Sequence, residues 1–153
     1  MWARLRRFSA LPGPARRLFL RAAAMLPFVS LSLHFRGFLK TKAFLEKRLS
    51  AGPRPARPCD ANGAELTVRM VRAAVQHGVA HPTCLQESLV LWFLLGHQGI
   101  ACDLRVGVRK KSEKLEAHAW VERDGVALNE PQALHEHYAA FDAALASIPP
   151  EPR

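Results

Sequence analysis

The chain has 153 residues, enough for one domain with a hydrophobic core but too few for two domains of ordinary size. Apolar residues make up 49% of it and charged residues 23%, a composition that excludes an intrinsically disordered chain. The net charge of +9 is unevenly placed, because residues 1–50 hold eleven Lys/Arg against the single acid Glu46. The remainder is close to neutral, so we expect no nucleic-acid partner.

The cysteines point to a reducing compartment. Cys59, Cys84 and Cys102 form an odd set without C-x-x-C spacing, a poor framework for disulfides or structural zinc. Reduced thiols in a cytoplasmic protein are the expectation. Arg21 and Pro27 interrupt the apolar stretch near the N-terminus, so that stretch predicts neither a secretion signal nor an uninterrupted membrane span.

Residues 1–50 are predicted to form a basic helical segment. Apolar residues recur at helical spacing between Leu18 and Leu26, and Pro27 predicts a break between two helical pieces that form a hairpin. Two interpretations of the apolar stripe stay open. It packs on the body of the protein, or it forms a surface for a partner protein or for peripheral contact with an anionic membrane.

A linker and a globular domain follow. Residues 51–63 are rich in proline and glycine and show no periodicity, so they are predicted to be a linker before a domain at 64–148. That domain is expected to begin with an amphipathic helix from Ala64 to Gly78. A second helix, from Cys84 to Gly96, is almost entirely apolar after its first turn, which is typical of a helix buried on several sides.

The pattern then changes to period two. Residues 102–109 alternate between apolar and polar side chains, which predicts a strand with one buried face. Leu115 to Glu122 and Val126 to Glu130 are predicted to be two further strands. The expected fold class is α+β, with a central helix packed on an antiparallel sheet and a basic helical segment before it.

Cys84 is the candidate nucleophile. Thr83 and Gln86 match a capping box, which makes Thr83 the N-cap and Cys84 the first helical residue. Free backbone N–H groups and the helix dipole at this position stabilise thiolate over thiol, and they can also stabilise an oxyanion. The alternative is that Cys84 is simply a small buried apolar residue.

His118 is the candidate acid and base. It lies between Ala117 and Ala119 on a predicted strand and shares one face with Trp120 and Glu122. A helix terminus packed on that face would bring a thiol to the imidazole. A structural histidine is the alternative when the residue is considered alone.

Metal binding is a competing use of these side chains. His77, His81 and Cys84 fall within eight residues and are all metal-ligating types. Pro82 disfavours the site, because it breaks the helix that would place both histidines on one face.

Several short runs together resemble the transglutaminase-like domain of the lasso-peptide B2 proteins, which are maturation peptidases. They are Cys84-Leu85-Gln86-Glu87-Ser88-Leu89, Gly99-Ile100, Val106-Gly107-Val108, Ala117-His118-Ala119-Trp120-Val121-Glu122 and Asp124-Gly125. The resemblance covers about residues 64–135, and the basic helical segment before them is similar in kind.

This resemblance implies a Cys–His–Asp triad that removes the leader from a ribosomally made precursor peptide without a cofactor. Carried over by position, Cys84 is the nucleophile and His118 the acid and base. The aspartate of the family falls on Glu130, so this chain departs from the pattern at the third position. A separate leader-recognition protein and an ATP-dependent lasso cyclase are the implied partners. A transglutaminase-like acyltransferase and a non-catalytic peptide-binding adaptor are the alternative functions.

The register of the last hairpin decides which residue orients His118. We expect a three-residue loop, which pairs Glu122 with Val126 and places Glu130 directly opposite His118. Directly opposed residues share a face of the sheet, so the carboxylate would reach the imidazole.

The alternative is a two-residue turn at Asp124-Gly125. It would pair Arg123 with Val126 and turn Glu130 to the other side of the sheet. Asn129 would then be the candidate for orienting the histidine.

Overall fold

The computed structural model describes residues 11–52, 61–78, 81–111, 114–130 and 139–140. Cys59, most of the predicted linker and the predicted domain end at residue 148 lie outside the described residues.

Three helices precede a small antiparallel sheet, which confirms the expected α+β class. The elements are α1 (Gly13–Ala51), α2 (Ala61–His77), α3 (Cys84–His97), β1 (Asp103–Lys111), β2 (Lys114–Arg123), β3 (Val126–Ala127) and β4 (Ala139–Ala140). The strand order is β3-β2-β1-β4, and every neighbouring pair is antiparallel.

Helix α1 folds back on itself at Gly37, where φ is 74° and ψ is 176°. The two arms run side by side, since the hydroxyl oxygens of Ser32 and Thr41 are 2.9 Å apart. The predicted hairpin is therefore confirmed, but the predicted break at Pro27 is wrong. A proline keeps a helical φ and removes one backbone hydrogen bond, whereas reversal of the chain needs a positive φ that glycine adopts most readily.

All three helices and the sheet contribute to one core. Its fully buried members include Ala22, Val29 and Leu45 of α1, Val71 and Ala74 of α2, Leu89, Leu91 and Leu95 of α3, and Val121 of β2. The inner face of α1 therefore packs on the body, as the first interpretation of its stripe predicts. Helix α3 is buried around most of its circumference, which explains why its later turns carry no charged side chain.

The hairpin between β2 and β3 corrects the expected register. Arg123 pairs with Val126 and Glu122 with Ala127, so the connection is the two-residue turn Asp124-Gly125. Both turn residues have positive φ, 51° and 78°, as a type I′ turn requires. The three-residue loop is wrong because Asp-Gly suits this turn, whose twist matches that of the strands.

Candidate active site

The start of α3 is capped as the sequence predicts. The Thr83 hydroxyl accepts a hydrogen bond from the Gln86 N–H at 3.4 Å, and the Gln86 side-chain oxygen accepts one from the Thr83 N–H at 2.9 Å. The Gln86 amide also donates to Ser30 Oγ of α1 at 3.1 Å. Cys84 is a half-buried thiol at the first position of this helix, and the first arm of α1 is bonded to the turn that holds it.

Ser88 ties this helix to the strand that carries His118. It lies one helical turn after Cys84, and residues four apart share a face of a helix. Its hydroxyl is buried and donates to the carbonyl oxygen of Ala119 at 2.9 Å. The helix face that begins with Cys84 therefore contacts β2 beside His118.

The helix reaches this strand at its edge. The backbone of Val121 accepts a hydrogen bond from Leu128, so the same edge of β2 presents the Ala119 carbonyl two residues earlier. Strand β3 ends at Ala127 and does not reach the Ala119 carbonyl. The Ser88 hydroxyl of α3 donates to that carbonyl instead. Ala119, Trp120 and Val121 are all buried, so both faces of this part of β2 are covered.

His118 lies between a carboxylate and an indole. Its Nε2 is 3.3 Å from Glu130 Oε1, and the two side chains are 13% and 23% exposed. Its ring stacks on Trp120, with centroids 6.2 Å apart and planes 19° apart. The Trp120 indole N–H donates to Glu122 at 3.4 Å, so His118, Trp120 and Glu122 share a face as predicted. Glu130 and Trp120 thus contact the ring from two sides.

Glu130 reaches His118 although the register would turn it away. In a regular antiparallel ladder, Val121 and Leu128 would exchange both backbone hydrogen bonds. Leu128 N–H does donate to the Val121 carbonyl at 2.8 Å, but Val121 N–H donates to Asn129 Oδ1 at 2.8 Å. The asparagine side chain replaces a backbone carbonyl, and the chain leaves the ladder. Glu130 therefore does not follow the pattern of a strand, in which successive side chains point to opposite faces of the sheet.

Asn129 joins three elements. It is 6% exposed, its side-chain nitrogen donates to Ser88 Oγ at 3.0 Å, and its backbone carbonyl oxygen accepts from Arg72 of α2 at 3.2 Å. Both ends of its side-chain amide are engaged by Val121 and Ser88. The Glu130 carboxylate lies beside the His118 imidazole, whereas these Asn129 side-chain contacts are made to Val121 and Ser88.

Sequence reasoning assigned no role to Glu87. Burial raises the pKa of its carboxyl above the ordinary 4.5, Arg72 lowers that pKa, and Glu130 raises it again. Glu87 and Glu130 therefore act on each other near the first turn of α3. The available signal was its position three residues after Cys84, in the first turn of a helix that is almost entirely apolar after that turn.

The two described cysteines differ in setting. The pKa of the Cys102 thiol is raised to about 11, mainly by burial and also by the Asp103 carboxylate, while Arg123 opposes the shift. A thiol of this kind is almost entirely protonated at neutral pH and is a poor nucleophile. Cys84, at a capped helix start, is therefore the stronger candidate of the two.

Within the described ranges, no three His, Cys, Asp or Glu side chains form a group that could hold a metal ion. His77, His81 and Cys84 are accordingly not gathered into a site.

Comparison with known proteins identifies the family to which the chain belongs. A model of the transglutaminase-like superfamily matches residues 28–141, well over half of the chain. The match begins inside the first arm of α1 and includes α2, α3 and the four strands. No curated protein and no solved structure matches the chain. The superfamily is generally enzymatic and includes cysteine peptidases and transglutaminases. The α+β core, with Cys84 at a helix start beside the strand of His118, agrees with this match, and the chain belongs to the transglutaminase-like superfamily.

Proposed function

We propose that the protein is a cysteine peptidase in which Cys84 is the nucleophile, His118 the acid and base, and Glu130 the residue that orients His118. The observation that carries the proposal is the 3.3 Å contact between His118 and Glu130. It occurs on the strand whose neighbouring carbonyl is bonded to α3, one helical turn after Cys84.

The chemistry follows from these groups. The Cys84 thiolate adds to the peptide carbonyl carbon, and N–H groups at the start of α3 stabilise the oxyanion. The imidazolium of His118 then protonates the departing amine nitrogen as the C–N bond breaks. Water attacks the thioester and gives its proton to the imidazole, and the C–S bond breaks to release the acid and restore the Cys84 thiolate beside the imidazolium. The Glu130 carboxylate stabilises the imidazolium throughout.

The finer assignment is removal of the leader from a ribosomally made precursor peptide in lasso-peptide maturation. It rests on the resemblance of the motifs around Cys84 and His118 to the B2 proteins. The same resemblance supports a separate leader-recognition protein and an ATP-dependent cyclase as partners.

The proposal is tested by incubating the protein with the precursor peptide encoded beside it and with the recognition protein. Mass spectrometry should detect separate leader and core fragments. Cys84→Ala should abolish cleavage, because no other described thiol has this setting, whereas Cys102→Ala should cleave at the ordinary rate. Equal turnover by Cys84→Ala would contradict the proposal.

Two outcomes would support the alternative functions. If an added primary amine replaced water, the product would be heavier than the hydrolysis product by the mass of the amine less that of water. The protein would then be an acyltransferase. If the protein bound precursor without any turnover, and Cys84→Ala bound it equally well, it would be an adaptor.

A further inference from the structure

The outer face of α1 carries an apolar stripe that the domain does not cover. Seven large apolar side chains are exposed among the described residues, and five of them belong to α1. Four of these, named the outer stripe, are Leu20, Phe28, Leu31 and Phe35, with exposures of 52, 46, 60 and 75%. Intervals of eight, three and four residues place them on one helical face, over about 22 Å.

The outer stripe is distinct from the face that packs on the body. Ala22 and Val29 are fully buried and Leu26 is 8% exposed, and they lie on the opposite side of the helix. Helix α1 therefore has two apolar faces, of which folding covers one. A contiguous exposed apolar surface of this kind marks an interaction site.

Positive charge flanks the outer stripe. Exposed cations lie at both ends of the first arm and beyond the reversal: Arg16, Arg17, Arg21, Arg36 and Lys40. The only acid in the described part of this segment, Glu46, is paired with Lys42. A partner that complements this surface must be both apolar and negatively charged.

A groove of about 680 Å³ lies beside the outer stripe. Phe28 belongs to both, and aromatic side chains of α1 and α3, Phe44 and Phe93, also line the groove. Arg21 and Arg48 add two guanidinium groups to the same lining. Apolar walls with two guanidinium groups suit a phosphate headgroup and the start of an acyl chain.

We propose that the outer stripe and its flanking cations dock the protein on an anionic phospholipid surface. The combination of an apolar helical face with surrounding Lys and Arg is the one that such surfaces bind. The bond between Gln86 and Ser30 joins α1 to the start of α3, so docking would also hold Cys84 near the membrane.

The helix lies in the interface and does not cross it. Part of α1 is long and apolar enough to span a membrane, with a mean hydropathy of 1.6. However, Ala22 and Val29 pack on the body and Gly37 reverses the chain, so a lipid layer can meet only the outer face. This inference is independent of the peptidase proposal.

Sedimentation of the full chain with vesicles tests the inference. The protein should pellet with vesicles of phosphatidylcholine and phosphatidylglycerol, and far less with phosphatidylcholine alone. Leu31→Ser with Phe35→Ser should lose most of the bound fraction, and Arg36→Glu with Lys40→Glu should do the same. The matched control is Leu115→Ser on β2, since Leu115 is 76% exposed and Phe35 75%.

Circular dichroism checks that each variant is folded. If the variant with both Leu31→Ser and Phe35→Ser does not fold, Leu31→Ser alone replaces it. Unchanged pelleting of the stripe variants would overturn the inference, as would equal loss in Leu115→Ser. Absence of binding to both vesicle types by the unaltered protein would also overturn it, and would leave a protein partner as the occupant of this face.

Discussion

The contact between His118 and Glu130 is the feature on which the proposed chemistry depends. A carboxylate beside an imidazole holds the ring in one orientation and stabilises its protonated form. The resemblance to the B2 proteins implies aspartate at this position, and glutamate reaches one methylene further. That extra reach suits a residue that follows Leu128, where the chain has left the ladder.

Replacement of Glu130 by glutamine tests this role. Glu130→Gln should lower kcat/KM by on the order of a thousandfold or more, because the imidazolium loses its stabilising charge. Steady-state cleavage kinetics measure the effect. Glu116→Gln, which removes a carboxylate of β2 paired with Arg109 of β1, should leave the rate unchanged. Equal rates for both variants would show that Glu130 does not act on His118.

Alkylation distinguishes the two described thiols. With a pKa of about 11, roughly one Cys102 thiol in three thousand is ionised at pH 7.5, so it should react slowly. Brief treatment with iodoacetamide, followed by peptide mapping, should label Cys84 first. Preferential labelling of Cys102 in the folded protein would contradict the assignment of the nucleophile.

The raised pKa of Glu87 predicts a pH-dependent stability. The folded chain binds this proton more tightly than the unfolded chain, so the contribution of Glu87 to the free energy of unfolding falls as pH rises above about 4.5 toward the raised value. Glu87→Gln removes that loss. Urea unfolding at a series of pH values should show the variant gaining stability over the unaltered protein across this window.

The control for Glu87→Gln is Glu65→Gln, which removes one negative charge from an exposed position of α2. The difference in free energy of unfolding between Glu65→Gln and the unaltered protein should not grow with pH across this window. A difference for Glu87→Gln that stayed constant with pH would contradict the predicted burial of the charge.

At the scale of the elements, the end of β3 depends on one side chain. Asn129→Ala leaves the Val121 N–H and the Ser88 hydroxyl without this partner inside the protein. The Ser88 hydroxyl keeps its bond to Ala119, so the Val121 N–H is the unsatisfied buried group, and we expect the free energy of unfolding to fall by about 1–3 kcal/mol. Chemical denaturation measures it.

The matched control is Asn62→Ala, at an exposed position of α2, which should change stability by less than about 0.5 kcal/mol. Cleavage by Asn129→Ala should also slow, because Glu130 loses the anchor beside it. A stable and fully active Asn129→Ala variant would show that the backbone alone places Glu130.

The reversal of α1 depends on Gly37. A side chain there would meet no atom within 4 Å, so the whole cost of Gly37→Ala is backbone strain at φ 74°. We expect a loss of about 1–3 kcal/mol in the free energy of unfolding. Gly13→Ala, which also meets nothing within 4 Å but has an ordinary φ, should be close to neutral. Equal stability of the two variants would contradict the predicted strain.

The hairpin between β2 and β3 shows where sequence reasoning failed. The local residues, Asp124-Gly125, favour a two-residue turn, and the structure has that turn. The family spacing favoured the longer loop, since it assumed that β3 continues to Glu130. Contact with His118 arises in another way, because Asn129 ends the ladder first.

At the scale of the whole molecule, the basic segment is continuous with the domain. Val29 and Leu45 of α1 belong to the same core as α3, and the family match begins at residue 28. The boundaries predicted at residues 50 and 64 remain a prediction. Positive charge nevertheless concentrates in residues 1–50, while the remainder is near neutral, so the molecule has one basic side.

The sequence alone determined the capped start of α3, the burial of that helix, the alternation of β1 and β2, and the charge of α1. Each is a property of neighbouring residues, which propensity, spacing and hydrogen bonding within one turn control. Only the tertiary structure decided how Glu130 reaches His118 and why the Glu87 carboxyl is partly desolvated. Glu130 follows Asn129, which is bonded to Ser88 and Arg72, and Arg72 and Glu130 both act on Glu87. These residues lie far apart in the chain, so their contacts exist only once α2, α3 and β2 have packed together.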